Sequence, residues 1–135
     1  MCTSLLNKRW AVFSAVVLYS LLLFAASQLP FRRPSLLIQI INNALHIPAY
    51  MALFLLLYAC LGSVLGKGKH ILALSLSSGI SACFGLLMEV FQSGISGRSC
   101  SFSDVLLNLA GIAAGIAFIG TKDRYFISND NIQGV

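Results

Sequence analysis

The sequence predicts an all-α membrane protein, a bundle of four transmembrane helices with a short interfacial helix before the second span. Hydrophobic residues make up 58% of the 135 residues and charged residues 10%, and the mean hydropathy is +0.87. Four apolar stretches approach the ~20 residues that a helix needs to cross the hydrocarbon of a bilayer. Since lipid offers no hydrogen-bond partners, each stretch must pair its backbone groups internally as a helix. The predicted spans are residues 10–29, 46–65, 71–91 and 102–120.

The first predicted span follows a short polar arm that carries Lys8 and Arg9. Basic residues before an apolar run are also typical of a cleaved signal peptide, with Ala25, Ala26 and Ser27 as small residues for cleavage. The apolar run is longer than the core of a typical signal peptide, so we interpret it as a membrane span.

Two prolines, Pro30 and Pro34, interrupt the chain after the first span because proline supplies no backbone N–H. Residues 35–45 then alternate apolar and amide side chains, which favours a short helix lying in the membrane interface. Pro48 falls in the first turn of the predicted second span, where a missing N–H costs little.

Short polar connections flank the third span. Residues 66–70 are predicted to form a tight turn, and glycines in residues 93–99 allow unusual backbone angles. Ser101 or Ser103 can cap the fourth helix. The membrane domain is therefore predicted as residues 1–120, and the polar tail of residues 121–135 is expected to be disordered.

Ionisable and amide side chains are concentrated near the ends of three apolar segments. Charge inside a membrane is costly and is kept where a function or a partner requires it. In the predicted topology the second helix starts, the third ends and the fourth starts at the same membrane face, so these side chains converge at one depth. They are His46, Glu89, Gln92, Arg98, Asp104 and Asn108. Tyr50 follows His46 by one helical turn and lies on the same side of its helix.

Small residues continue two of these faces into the membrane. The third helix has the row Ser78, Ala82, Gly85 and Glu89, and the fourth has the row Asp104, Asn108, Gly111 and Gly115. Rows of small residues let helix backbones approach closely. We therefore expect the glycines of these rows to press the third and fourth helices together beneath the carboxylates.

The basic residues predict an orientation. With both termini cytoplasmic, the outer face carries Arg32, Arg33 and Arg98, and the inner face carries the other six of the nine basic residues. Those six are Lys8, Arg9, Lys67, Lys69, Lys122 and Arg124. The excess follows the positive-inside rule, although Arg32 and Arg33 in one short loop leave the opposite orientation open. Because the net charge of +5 is scattered over loops, it argues against a nucleic-acid partner.

A purely structural role for the polar residues also stays open. Glu89 and Arg98 could form an ion pair that fixes the loop, and Asp104 could complement the dipole at the start of its helix. A metal site of His46, Glu89 and Asp104 would be chemically sensible. A single histidine without a paired ligand motif argues against it, so we expect no metal and no cofactor.

Taken in this order, the motifs resemble the VanZ-like family of small integral membrane proteins over residues 42–115. The matching elements are His46-Ile-Pro-Ala-Tyr50, Glu89-Val-Phe-Gln92, Gly97-Arg98 and Asp104-Val-Leu-Leu-Asn108-Leu-Ala-Gly111-Ile-Ala-Ala-Gly115. Asn42-Asn43 stand where the family often has an Asp-Lys pair, so no proton or cation role is expected of them. The family prototype is linked to low-level teicoplanin resistance. The resemblance implies a multi-pass protein of the bacterial inner (plasma) membrane and specifies no reaction.

Two functions of different classes fit these residues. The first is a membrane-embedded enzyme or carrier for an anionic, lipid-linked envelope intermediate such as a polyprenyl phosphate. Arg98 would bind phosphate, Glu89 or His46 would act as general base or acid, and Asp104 would orient His46 or counter Arg98. The other substrate-binding candidates are Gln92, Asn108 and Tyr50. The second is a non-enzymatic accessory protein, a homo-oligomer or a subunit of an envelope-synthesis complex, and the sequence leaves both open.

Cysteine labelling tests the predicted orientation. Cys100 should react with a membrane-impermeant maleimide in intact cells, whereas Cys2 should react only after permeabilisation, because positively charged segments resist translocation. A Cys100→Ser variant identifies the outer label. The converse pattern would place the polar residues at the cytoplasmic face.

Overall fold

The computed structural model describes residues 2–28, 36–66, 68–94 and 101–133, and nearly all of them are helical. The helices are α1 (Cys2–Ser27), α2 (Leu36–Leu65), α3 (His70–Ser93) and α4 (Phe102–Gln133). No strand occurs among the described residues. Each helix contains a stretch long and apolar enough to cross a membrane: Asn7–Ser27, Asn43–Leu65, His70–Ser93 and Phe102–Thr121. The predicted all-α bundle of four spans is therefore confirmed.

The short interfacial helix predicted for residues 35–45 is not a separate element. Instead, α2 begins at Leu36 and continues without a break to Leu65. No proline or glycine lies between Leu36 and Ile47 to end the helix, so the interfacial pattern extends directly into the span. Pro48 accordingly lies inside α2 rather than in its first turn.

The fourth helix extends beyond its apolar span. The span ends at Thr121, whereas α4 continues to Gln133. The disorder predicted for residues 121–135 stays a prediction, because it concerns motion that helix bounds do not measure.

A tight turn joins α2 to α3. Gly66 and Gly68 adopt φ angles of 82° and 88°, in the left-handed region that glycine enters without a steric penalty. The turn folds α3 back along α2, so the N-terminal part of α2 lies at the same end of the bundle as the C-terminal part of α3. The start of α4 completes this end.

The second helix is the centre of the bundle, since it contacts α1, α3 and α4. Its buried side chains are Tyr50, Leu53 and Phe54, which recur at the three- and four-residue spacing of one helix face. Ile112 and Ile119 of α4 complete this core. Among the described residues α1 makes no contact with α4, so α1 is peripheral.

Glycines set the distance between α2 and α4. A Cβ atom at Gly111 would collide with the backbone oxygen of Ile47 and lie 3.1 Å from the backbone nitrogen of Met51. A Cβ at Gly115 would collide with the ring of Phe54. The expectation that these two glycines press α4 against α3 was wrong, because they face α2. Helical spacing showed that they share a face with Asn108 but not which neighbour that face meets.

Adding one methyl group at Gly111 tests the contact between α2 and α4. Gly111→Ala should lower the free energy of unfolding by about 1–3 kcal/mol, because the Ile47 carbonyl is backbone and cannot yield without shifting α2. Gly79→Ala is the matched control, since a Cβ there meets nothing within 4 Å. Reversible unfolding in mixed detergent micelles measures both. Equal stability of the two variants would contradict the α2–α4 contact.

Candidate functional site

Glu89 is the most deeply buried ionisable side chain of the described bundle, with 1% of its surface exposed. It lies in α3, one turn before the helix ends at Ser93. Its Oε2 accepts a hydrogen bond of 3.0 Å from the backbone N–H of Ser101. Its Oε1 has no hydrogen-bond partner among the described residues. Since buried polar atoms are nearly always hydrogen-bonded, this unpaired oxygen is a candidate position for a ligand.

The bond to Ser101 ties α3 to the beginning of α4. Ser101 immediately precedes α4, and its hydroxyl accepts a bond of 3.3 Å from the backbone N–H of Asp104. Ser101 is therefore the cap, one of the two serines that the sequence offered. In a common capping motif, a glutamate three residues after the cap binds the N–H of the cap residue. Here Glu89 of another helix takes that position, so its carboxyl group helps to start α4.

His46 and Asn108 join α2 to α4 by a side-chain hydrogen bond. His46 Nδ1 lies 2.8 Å from Asn108 Oδ1, and Asn108 has 3% of its surface exposed. An amide oxygen only accepts, so Nδ1 carries the hydrogen and Nε2 of the neutral ring keeps its lone pair. Sequence analysis expected Asp104 either to orient His46 or to counter Arg98. Asn108, one turn further into the membrane, orients His46 instead.

Tyr50 and Gly85 complete the contacts around Asn108. The rings of His46 and Tyr50 stack almost in parallel, with 6.4 Å between centroids and 4° between planes. A Cβ at Gly85 would lie 3.0 Å from Asn108 Nδ2 and 3.1 Å from Tyr50 Cε1. Because Gly85 has no side chain, Tyr50 of α2 and Asn108 of α4 can both pack against α3 at this point.

We call His46, Tyr50, Glu89 and Asn108 the polar cluster. The structure brings them together at one end of the bundle. Asn108 Nδ2 is buried and, like Glu89 Oε1, has no hydrogen-bond partner in the described part of the chain. The cluster therefore holds an unused donor and an unused acceptor, while Nε2 of His46 supplies a lone pair.

Three other predicted site residues are not joined to the polar cluster by their side chains. Gln92 and Asp104 are half-buried at the same end of the bundle. Neither side chain forms a hydrogen bond to another described residue. Arg98 lies outside the described residues. Across the described ranges, no three histidine, cysteine, aspartate or glutamate side chains are grouped to hold a metal ion.

Sequence analysis missed two buried serines of α3. Ser77 and Ser81 are fully buried, whereas Ser78 of the expected row is only half-buried. Ser77 Oγ donates to the carbonyl of Ala73 in its own helix at 2.6 Å. Ser81 Oγ is unpaired among the described residues. Counting back from Glu89 in steps of four residues gives Gly85, Ser81 and Ser77. The expected row instead took a step of three from Gly85 to Ala82, and so reached Ser78.

A double-mutant cycle tests the His46–Asn108 bond. His46→Phe and Asn108→Leu should show a coupling energy of about 1 kcal/mol in detergent unfolding, the usual size for a polar pair between membrane helices. His70→Phe combined with Asn108→Leu is the control, because His70 is exposed at the start of α3. That pair should couple by less than about 0.5 kcal/mol. Coupling of the same size in both cycles would show that the His46–Asn108 bond does not stabilise the fold.

A comparison with known protein families assigns the chain. The model of the VanZ/LLP1 family matches residues 3–122, which include all four spans and the whole polar cluster. No curated protein matches the chain. No solved structure matches it either. The resemblance carried by the His46, Glu89 and Asn108 motifs is confirmed, and this multi-pass membrane protein belongs to the VanZ/LLP1 family.

Proposed function

We propose that this protein binds the anionic headgroup of a lipid-linked cell-envelope intermediate, of the polyprenyl phosphate type, at the polar cluster. The observation that carries the proposal is that Glu89 Oε1 and Asn108 Nδ2, at the same end of the bundle, are both buried and unpaired among the described residues. Buried polar atoms in folded proteins are nearly always hydrogen-bonded, so open ones indicate a place for a missing partner.

A monoesterified phosphate complements these open atoms. Its oxygens accept a hydrogen bond from Asn108 Nδ2, and its acidic hydroxyl can donate to Glu89 Oε1. With Glu89 protonated, the same oxygen of the carboxyl group becomes the donor instead. Either arrangement replaces the hydration that a phosphate loses on entering the membrane.

Arg98 adds the positive charge that this headgroup needs. Arg98 is three positions before Ser101 in the chain, and three residues of extended chain span at most about 11 Å. Ser101 is itself hydrogen-bonded to Glu89. A guanidinium group at this distance can approach a phosphate held at Glu89, and its fork of donors suits phosphate oxygens.

His46 supplies the acid–base chemistry if the bound lipid is processed. The Asn108 bond and the Tyr50 stack hold its ring. Its Nε2 lone pair can accept a proton from a water molecule that attacks the phosphorus and return that proton to the polyprenol oxygen as the P–O bond to the chain breaks, which releases inorganic phosphate and polyprenol. The proposed location is a bacterial plasma membrane with both termini cytoplasmic, which puts the cluster at the outer face. The positive-inside bias supports that placement.

Lipid binding by purified protein in nanodiscs tests the proposal. Wild-type protein should bind polyprenyl phosphate at least about tenfold more tightly than the uncharged polyprenol, a difference of about 1.4 kcal/mol. Arg98→Gln should reduce this preference because it removes a positive charge. Glu89→Leu and His46→Gln should reduce it because the first removes the carboxyl group that binds the headgroup and the second removes the ring that holds Asn108. His70→Gln is the matched control at the far end of α3. Native mass spectrometry counts bound lipid, and circular dichroism checks folding.

The same samples separate the two classes of function. Equal binding of phosphate and alcohol by folded wild-type protein would overturn the headgroup proposal and favour the accessory role. Retained binding with unchanged lipid after long incubation would indicate a carrier. Release of inorganic phosphate that depends on His46 would indicate an enzyme.

A further inference from the structure

A groove between α3 and α4 leads from the side of the bundle to the polar cluster. Its volume is about 200 Å³. The lining residues are Ala82, Gly85, Leu86, Val105, Asn108 and Leu109. Gly85 is also the residue of α3 against which Asn108 and Tyr50 of the polar cluster pack. The inner end of the groove therefore borders that cluster.

The outer end of the groove opens toward the membrane. Leu86 and Leu109 are 52% and 45% exposed, and their neighbours Leu87 and Leu106 are 54% and 50% exposed. Large apolar side chains exposed on a transmembrane helix face hydrocarbon. The solvent at this opening is therefore lipid.

Asn108 gives the groove a specific feature that a packing defect lacks. Its Nδ2 is a hydrogen-bond donor on a side chain that is 3% exposed, and it has no partner within the described residues. The remaining lining is apolar apart from backbone. An occupant that reaches this atom would combine hydrocarbon with an acceptor oxygen next to it.

We propose that the α3–α4 groove is a lateral entry site for the chain of the polyprenyl phosphate, with the phosphate oxygen next to the chain accepting a hydrogen bond from Asn108 Nδ2. This inference rests on the proposed function and adds the route and the position of the chain. A water-sized group occupies about 30 Å³, so the groove holds roughly six such groups, enough for the first isoprene unit. The rest of the chain stays in the bilayer, and the lipid never has to leave the membrane.

Photolabelling locates the chain. A polyprenyl phosphate with a diazirine on its first isoprene unit is added to protein in nanodiscs, and labelled peptides are mapped by mass spectrometry. Labels should concentrate on Leu86, Val105 and Leu109, and excess unlabelled polyprenyl phosphate should abolish them. The exposed neighbours Leu87 and Leu106 should keep only background labelling.

Filling the groove tests its role in affinity. Ala82→Leu places three extra carbon atoms in the lining and should weaken polyprenyl phosphate binding about tenfold. Cys83→Leu is the matched control, because Cys83 is the next residue of α3, exposed and outside the groove. It should change binding less than twofold. If Ala82→Leu does not fold, Leu109→Trp against Leu106→Trp repeats the comparison at two exposed positions of α4.

These outcomes distinguish the groove proposal from the headgroup proposal. Suppose that binding depends on Glu89, but that the labels spread evenly over the lipid-facing surface or the filled and control variants bind with equal affinity. The groove proposal is then rejected and the headgroup proposal stands. Equal affinity of the wild-type protein for polyprenyl phosphate and polyprenol overturns both the groove proposal and the headgroup proposal. Labels in the groove that polyprenol displaces as well as polyprenyl phosphate would show chain binding that does not depend on the phosphate, and would also reject the site as stated.

Discussion

The contact between the backbones of α2 and α4 at Gly111 is the constraint on which the polar site depends. Helices in lipid gain no hydrophobic free energy by associating, so close packing and polar contacts must hold them together. Gly111 lies directly against the backbone of Ile47, the residue after His46. Three residues before Gly111, Asn108 reaches the His46 ring at 2.8 Å. A side chain at position 111 would push the two helices apart and lengthen this bond.

The polar cluster is also unusual in what it leaves unpaired. A buried polar atom without a partner destabilises a fold by about 1–3 kcal/mol. Glu89 Oε1, Asn108 Nδ2 and Ser81 Oγ are such atoms in the described bundle, and the first two lie in the polar cluster. A site that only held the helices together would gain stability by pairing them. A site that exchanges one partner for another needs such atoms open.

The four spans and the convergence of polar residues follow from the sequence because both depend on properties of single helices. Apolar length fixes the spans, and the alternating direction of consecutive spans brings His46, Glu89 and Asn108 to one end. Contacts between helices could not be predicted in the same way. Periodicity shows that Asn108 and Gly111 share a face, but the rotation of α4 decides that this face meets α2.

The remaining differences have similar causes. The partner of His46 is Asn108 rather than Asp104, because the choice between residues one turn apart depends on how far α4 is inserted relative to α2. The two buried serines of α3 were missed because small and polar residues occupy several of its faces. The serine cap at residue 101 was foreseen, since capping is a local property, whereas its bond to Glu89 joins two helices.

The hydrogen bond between His46 and Asn108 has a consequence for how the protein is made. Its partners are 62 residues apart, and α3 lies between them in the chain. At a synthesis rate of about 5–20 residues per second, roughly 3–12 s pass between translation of the two residues. During that interval α2 can carry His46 into the membrane or its insertion machinery before Asn108 exists to bind it. Biogenesis must therefore shelter this polar side chain until the last helix arrives, and a ribosome that stops before α4 leaves a chain in which His46 lacks its partner.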